Sequence, residues 1–77
     1  MDYSFEIYAE TAIIPQLDQT QDVVLTWKLQ NDIVHKSPVR QFNAEMRQVK
    51  CDHLFPKAIT SIENNESKVT YFEIRNP

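Results

Sequence analysis

Apolar and polar residues alternate over the first ten positions of the chain. One set of alternate positions is apolar: Tyr3, Phe5, Ile7 and Ala9. The positions between them are mostly polar: Ser4, Glu6, Tyr8 and Glu10. A period of two is typical of a strand with one buried and one exposed face. The pattern therefore predicts a half-buried strand over residues 3–9.

The same period returns over residues 23–30, where Val23, Leu25, Trp27 and Leu29 are apolar. On a helical wheel these residues would spread over more than half of the circumference, so a strand is favoured and a helix is the alternative. The Gln- and Asp-rich residues 16–22 before this segment predict a loop. After it, Asn31-Asp32 predicts a turn and residues 33–35 a short return strand.

Residues 37–53 have a different period. Ser37 followed by Pro38 matches the preferred N-cap and first position of a helix. Further apolar residues follow at spacings of three, four and three: Val39, Phe42, Met46 and Val49. This spacing predicts an amphipathic helix, with His53 continuing its apolar face and an end before Pro56.

Beyond Pro56, two apolar-rich segments, residues 58–63 and 68–75, flank the polar residues 64–67. This arrangement predicts a closing β-hairpin. The sequence thus predicts an α+β fold, in which about four strands form a mostly antiparallel sheet and one amphipathic helix packs across it. We expect a single domain over residues 1–77.

Composition narrows the chemistry. The 77 residues contain no glycine, which excludes phosphate-binding loops, dinucleotide-binding fingerprints and the nucleophile elbow. The lone Cys51 forms no internal disulfide, and no apolar run reaches the ~18 residues that span a membrane. We expect a cytoplasmic protein that is not an enzyme, with no cofactor and no membrane partner. Because the core of so short a chain is small, pairing with a second copy is a plausible source of stability.

A thiol, a carboxylate and an imidazole occur together in Cys51-Asp52-His53. A zinc site needs about four ligands, and His35 is the one further candidate. On the predicted helix, successive side chains point about 100° apart, so Cys51 and His53 would not face each other. Glu6 and Glu10 would lie ~13 Å apart along a strand, too far for a catalytic carboxylate pair. We therefore expect no metal or catalytic site.

The charge distribution is uneven along the chain. Residues 1–27 contain five acidic residues and no Lys or Arg, whereas residues 28–57 contain six basic and three acidic residues. Such asymmetry steers charged partners. It suggests two candidate binding surfaces, an acidic one from residues 1–27 and a basic one from residues 28–57.

The first candidate is an acidic strand face around one tyrosine, formed by Asp2, Glu6, Tyr8 and Glu10. Tyrosine is a frequent interface anchor, and carboxylates favour a basic partner surface. This face leads to our main hypothesis, a small inhibitor or accessory factor that binds a larger nucleic-acid-handling protein. Phage-encoded antagonists such as anti-CRISPR proteins, immunity proteins and antitoxins share this size and acidity, although no motif here matches them.

The rival candidate is a basic strip on the predicted helix, formed by Arg40, Asn43, Arg47 and Lys50. A row of cations on a helix suits contact with phosphates. It leads to the alternative hypothesis of a small nucleic-acid-binding regulator. A solvated amphipathic helix and an ordinary polar strand face would explain the two patterns without any binding function.

Overall fold

The computed structural model describes residues 1–30 and 32–77, and these residues form strands, turns and loops without a helix. The strands are β1 (Asp2–Phe5), β2 (Tyr8–Ile13), β3 (Gln21–Leu29), β4 (Asp32–Lys36), β5 (Arg40–Asn43), β6 (Gln48–Leu54), β7 (Ala58–Ser61) and β8 (Thr70–Arg75). The fold is therefore all-β, and the α+β prediction is wrong.

Strand β3 lies at the centre of a six-stranded antiparallel sheet. Its residues Thr26–Leu29 pair with both β4 and β8, so these two strands lie on opposite edges of β3. Strand β5 continues along the β4 edge, because Ser37 between them still donates its backbone N–H to the Leu25 carbonyl at 2.8 Å. Strand β6 pairs with β5, and β2 pairs with β6. The sheet thus runs from β8 through β3 to β2.

The predicted helix is instead a β-hairpin made of β5 and β6, joined by a turn over residues 44–47. Two positions of the expected apolar stripe, Val39 and Met46, are 50% and 60% exposed. Ser37 is not a helix cap, since its hydroxyl accepts the backbone N–H of Leu25 and donates to the Pro38 carbonyl. The Ser-Pro signal therefore marks a break in a strand pair.

The predicted closing hairpin is also wrong. Strand β8 pairs with β3, while β7 pairs with β1 in a separate two-stranded antiparallel sheet. The predicted first strand is divided, because β1 ends at Phe5 and β2 begins at Tyr8. By contrast, β3 confirms the strand predicted over residues 23–30, and β4 confirms the return strand. The predicted turn falls partly on residue 31, outside the described residues.

The core lies where β3, β5 and β6 meet. Its largest buried side chains are Trp27, Phe42 and Phe55. The Trp27 indole N–H donates to the Thr70 hydroxyl at 2.6 Å, which ties β3 to β8. Because glycine is absent, ordinary residues adopt the left-handed backbone conformation: Gln30, Arg47, Asp52 and Asn65. No helix within the described residues is long and apolar enough to cross a membrane.

Candidate functional site

Within the described residues, three strands of the large sheet have one unpaired edge, β2, β4 and β8, and two of them, β2 and β8, border the same groove. Strand β2 pairs with β6 and β8 pairs with β3, and within the described residues neither has a partner on its other edge. An edge strand presents unpaired backbone N–H and C=O groups to the outside. Counting antiparallel steps from β8 through β3, β5 and β6 shows that β8 and β2 run in the same direction.

An apolar groove of about 340 Å³ lies between these two strands, and we call it the seam groove. Its walls combine the first edge segment, residues 7–12, with Phe72 and Ile74 of β8. Leu25 and Cys51 belong to its lining and are buried in the core. Phe72 is 44% exposed, although its ring centroid lies 6.1 Å from that of Phe55. The groove is therefore an accessible extension of the core.

A polar cleft of about 440 Å³ adjoins β2 as well, and it shares three lining residues with the seam groove: Tyr8, Glu10 and Thr11. Its other lining residues are Arg40, Lys50 and Asp52. The Tyr8 hydroxyl donates to the Asp52 carboxylate, and the Arg40 Nε donates to the Cys51 carbonyl at 2.9 Å.

A β-bulge explains how Asp52 reaches this cleft. Ala9 pairs with His53, but Thr11 pairs with Lys50, so β6 contains one residue more than β2 at this point. Asp52 lies within the extra length and has a positive φ of 42°. Aspartate tolerates this region better than most residues, and bulges redirect side chains. The bulge therefore positions Asp52 for its hydrogen bond with Tyr8.

The predicted acidic face is divided between two parts of the fold. Asp2, Glu6, Tyr8 and Glu10 are all exposed. Asp2 pairs with Ser61 in the small sheet, and Glu6 lies between β1 and β2. Tyr8 and Glu10 belong to β2 and line both the groove and the cleft. The structure thus brings two of the four residues together at one site.

The predicted basic strip is likewise rearranged, since its helix does not exist. Arg40 and Lys50 join Tyr8 and Glu10 in the polar cleft. Asn43 and Lys50 line a separate cleft beside the β5–β6 turn. Arg47 lies in that turn and donates from Nη1 to the Leu17 carbonyl at 2.7 Å. Half of each predicted surface, Tyr8 and Glu10 of the acidic one and Arg40 and Lys50 of the basic one, therefore meets in the polar cleft.

Cys51 and His53 alternate on β6 with Asp52 between them. Burial raises the pKa of the Cys51 thiol, and the nearby Arg40 opposes this only in part. The thiol is therefore protonated at neutral pH and a poor nucleophile. His53 is half-buried and packs edge-on against Phe55 at 4.8 Å between ring centroids. Among the described residues, no three His, Cys, Asp or Glu side chains are grouped to hold a metal ion.

Sequence reasoning did not place Phe72 and Ile74 at the site. Their alternation with Tyr71 and Glu73 predicted the strand correctly. The predicted pairing with residues 58–63 was wrong, and it gave no indication that this strand borders a groove. One feature of the sequence could have indicated this part of the site: Phe72 is a large apolar residue for which the predicted hairpin offered no packing partner.

Comparison of the chain with protein-family models, curated proteins and solved structures finds no match in any of the three.

Proposed function

We propose that this chain is a non-enzymatic protein–protein interaction module, of the inhibitor or accessory-factor type, that binds a larger protein with a basic contact surface. The observation that carries this proposal is the seam groove, an accessible apolar extension of the core beside an open sheet edge. Exposed apolar surface next to an unpaired edge is a feature that folded domains normally cover or use for binding.

Exposed apolar side chains surround the groove and give it the composition of an interface. Tyr8 is 53% exposed, and Leu54, its register partner on β6, is also exposed. Phe72 contributes a second accessible ring on the opposite wall. Aromatic residues are enriched at interface centres because they bury a large area with few rotatable bonds.

The charge beside the groove favours a basic partner. Glu10 is the one charged residue in the lining of the groove, and within the described residues it has no ion-pair partner. Residues 1–27 add further carboxylates and no cation. A cationic group on the partner that approaches from the groove side would therefore meet the Glu10 carboxylate, which supports specificity and a fast association rate.

The nucleic-acid alternative has weaker support. Arg40 and Arg47 each donate a guanidinium N–H to a backbone carbonyl of this chain, and they lie in different parts of the hairpin. Asp52 and Glu10 share the polar cleft with Arg40 and Lys50, which places carboxylates beside the cations. Phosphate binding requires a surface with a net positive charge.

Site-specific crosslinking in the native host tests the proposal. A photoreactive phenylalanine analogue replaces Tyr8 in one variant and Ile59 in the other, because Ile59 is also a large, exposed side chain and lies on β7, away from the groove lining. We expect the label at position 8 to capture a discrete protein that position 59 does not. Equal labelling at the two positions, or crosslinks that disappear with nuclease, would contradict the proposal.

A further inference from the structure

We propose that the partner enters the seam groove as an extended strand, which pairs with β2 and β8 at once and closes the large sheet into a barrel. This inference rests on the proposed function and names its binding mode. The occupant is a segment of a different protein in which apolar residues alternate with polar ones and a Lys or Arg lies opposite Glu10.

The first observation that supports strand insertion is the direction of the two edge strands, β2 and β8. Because β2 and β8 run the same way, they do not form an antiparallel pair with each other. A strand that runs in the opposite direction between them is antiparallel to both. It would complete an all-antiparallel ring of strands and cover the free edges of both β2 and β8.

The second observation that supports strand insertion is the apolar lining of the seam groove. A strand directs alternate side chains to opposite faces. Inward side chains of the incoming strand would meet Leu25, Cys51, Phe72 and Ile74, all of them apolar. Outward side chains would face solvent beside Tyr8. The groove therefore selects a segment with a period of two.

Charge complementarity decides between a foreign segment and a second copy of this chain. Pairing of β2 with β2 of another copy would bring a second Glu10 carboxylate to the seam and no cation, because Glu10 is the one charged residue of β2. Like charges across paired strands are destabilising. A cationic segment instead neutralises Glu10, so the charge favours a different protein.

The test uses a synthetic six-residue peptide, the length of β2 and β8, in which valine alternates with lysine and threonine. Hydrogen exchange of individual amides is followed by NMR during titration. At ten times the dissociation constant, we expect exchange to slow about tenfold in both β2 and β8. Protection of one strand alone, or no binding at millimolar peptide, would overturn strand insertion.

Two altered peptides separate backbone pairing from adhesion of apolar side chains. A peptide with N-methyl groups at alternate residues keeps its side chains but loses backbone donors, and we expect its affinity to fall at least about tenfold, since each lost bond costs binding energy. A peptide with glutamate in place of lysine should also bind more weakly. Equal binding of the N-methylated peptide would refute β-strand pairing.

Protein variants locate the cation. Glu10→Gln should weaken binding of the lysine peptide about two- to fivefold, the range for an exposed ion pair. Glu63→Gln, in the loop between β7 and β8, is the matched control, because Glu63 is exposed and has no ion-pair partner within the described residues, and it should leave affinity unchanged. Equal affinity of the Glu10 variant and wild type would refute the assigned position of the cation.

The outcomes also separate this inference from the proposed function. A partner captured at position 8 together with a silent peptide titration would preserve the interaction module and refute strand insertion. Capture of no partner would refute the function itself. Protection of β2 and β8 that grows with protein concentration alone would assign the seam to a second copy, which contradicts a foreign segment.

Discussion

Strand β3 and the two strands that border the seam groove, β2 and β8, differ in strand pairing and in side-chain burial. Strand β3 has partners on both edges, and its Trp27 is 2% exposed. Strands β2 and β8 each have one partner, and their Tyr8 and Phe72 remain half-exposed. The difference indicates that burial and strand pairing are concentrated at β3, whereas β2 and β8 keep accessible side chains and unpaired edges.

The largest expected effect tests this contrast directly. Trp27→Ala should cost about 3–5 kcal/mol, because it removes a fully buried ring. It also removes the donor to Thr70 and the edge contact with Phe55. Phe72→Ala, at the half-exposed wall of the seam, should cost roughly 1 kcal/mol or less. Urea unfolding followed by far-UV circular dichroism measures both, since Trp27 is the one tryptophan and fluorescence is lost with it.

A loss of that size is a large fraction of the stability of a 77-residue domain, so the Trp27 variant should unfold at a much lower urea concentration than wild type. The Phe72 variant should keep the wild-type spectrum and the same denaturant slope. Similar losses for the two variants would show that the seam is as integral to the core as β3.

The sequence predicted β3 well and the β5–β6 hairpin badly, for a physical reason. In β3, apolar side chains at every second position are buried, so the local period and the final environment agree. In the hairpin, Phe42 and Val49 are buried as register partners across two strands. Their separation in sequence happens to equal two helical turns. Pairing with neighbouring strands overrode a local helical signal, which is the usual weakness of propensity reasoning.

The same reason decides how much of the candidate site follows from the sequence. The sequence places Tyr8 and Glu10 on one face because alternation shows which residues share the outer face of a strand, and both line the groove and the cleft. Their neighbours Arg40, Lys50 and Asp52 come from the misassigned segment, and a bulge places Asp52. Register and bulges depend on tertiary pairing, so no local pattern shows that the two charged sets share one cleft.

A second variant tests how β8 is attached to β3. Thr70→Val should cost about 1–3 kcal/mol, because it leaves the buried Trp27 indole N–H without its acceptor. The Thr70 hydroxyl also donates to the Lys28 carbonyl at 2.9 Å. Thr11→Val is the matched control on β2, where the threonine is exposed and makes no side-chain hydrogen bond within the described residues. Equal stability of the two variants in urea would show that the hydrogen bond between Trp27 and Thr70 does not stabilise the fold.

Acid should weaken the same strand pair to a smaller degree. A hydrogen bond from Lys28 and the charge of Arg75 hold the pKa of Glu73 below its ordinary value. A lowered folded-state pKa favours folding above the unfolded-state value, and this contribution is lost as pH falls through the folded-state pKa. Glu73→Gln and Lys28→Met should each flatten the loss of stability below about pH 4.5, measured by urea unfolding at several pH values. An unchanged acid slope in both variants would contradict this assignment.

The smallest expected effect compares the turns next to the two regions. Gln30 follows β3 with φ of 56°, and Asn65 precedes β8 with φ of 64°. A residue with a Cβ is destabilised by about 1–2 kcal/mol in this conformation. Glycine avoids that penalty, but it loses more backbone entropy on folding, so the net gain from a change to glycine is smaller. Gln30→Gly should therefore stabilise the fold by about 0.5–1 kcal/mol. The hydrogen bond that it removes, from the Gln30 amide to the Ser67 carbonyl, is long at 3.5 Å and contributes little.

Asn65→Gly should gain much less, because asparagine already tolerates the left-handed region. The backbone bond from Glu66 to the Glu63 carbonyl is unaffected by that change. A rise in urea midpoint for Gln30→Gly, beside a near-zero shift for Asn65→Gly, would show that backbone strain is stored beside β3 and not beside the seam. Equal shifts would mean that the two turns are strained alike, and the contrast between the regions would then rest on side-chain burial and strand pairing alone.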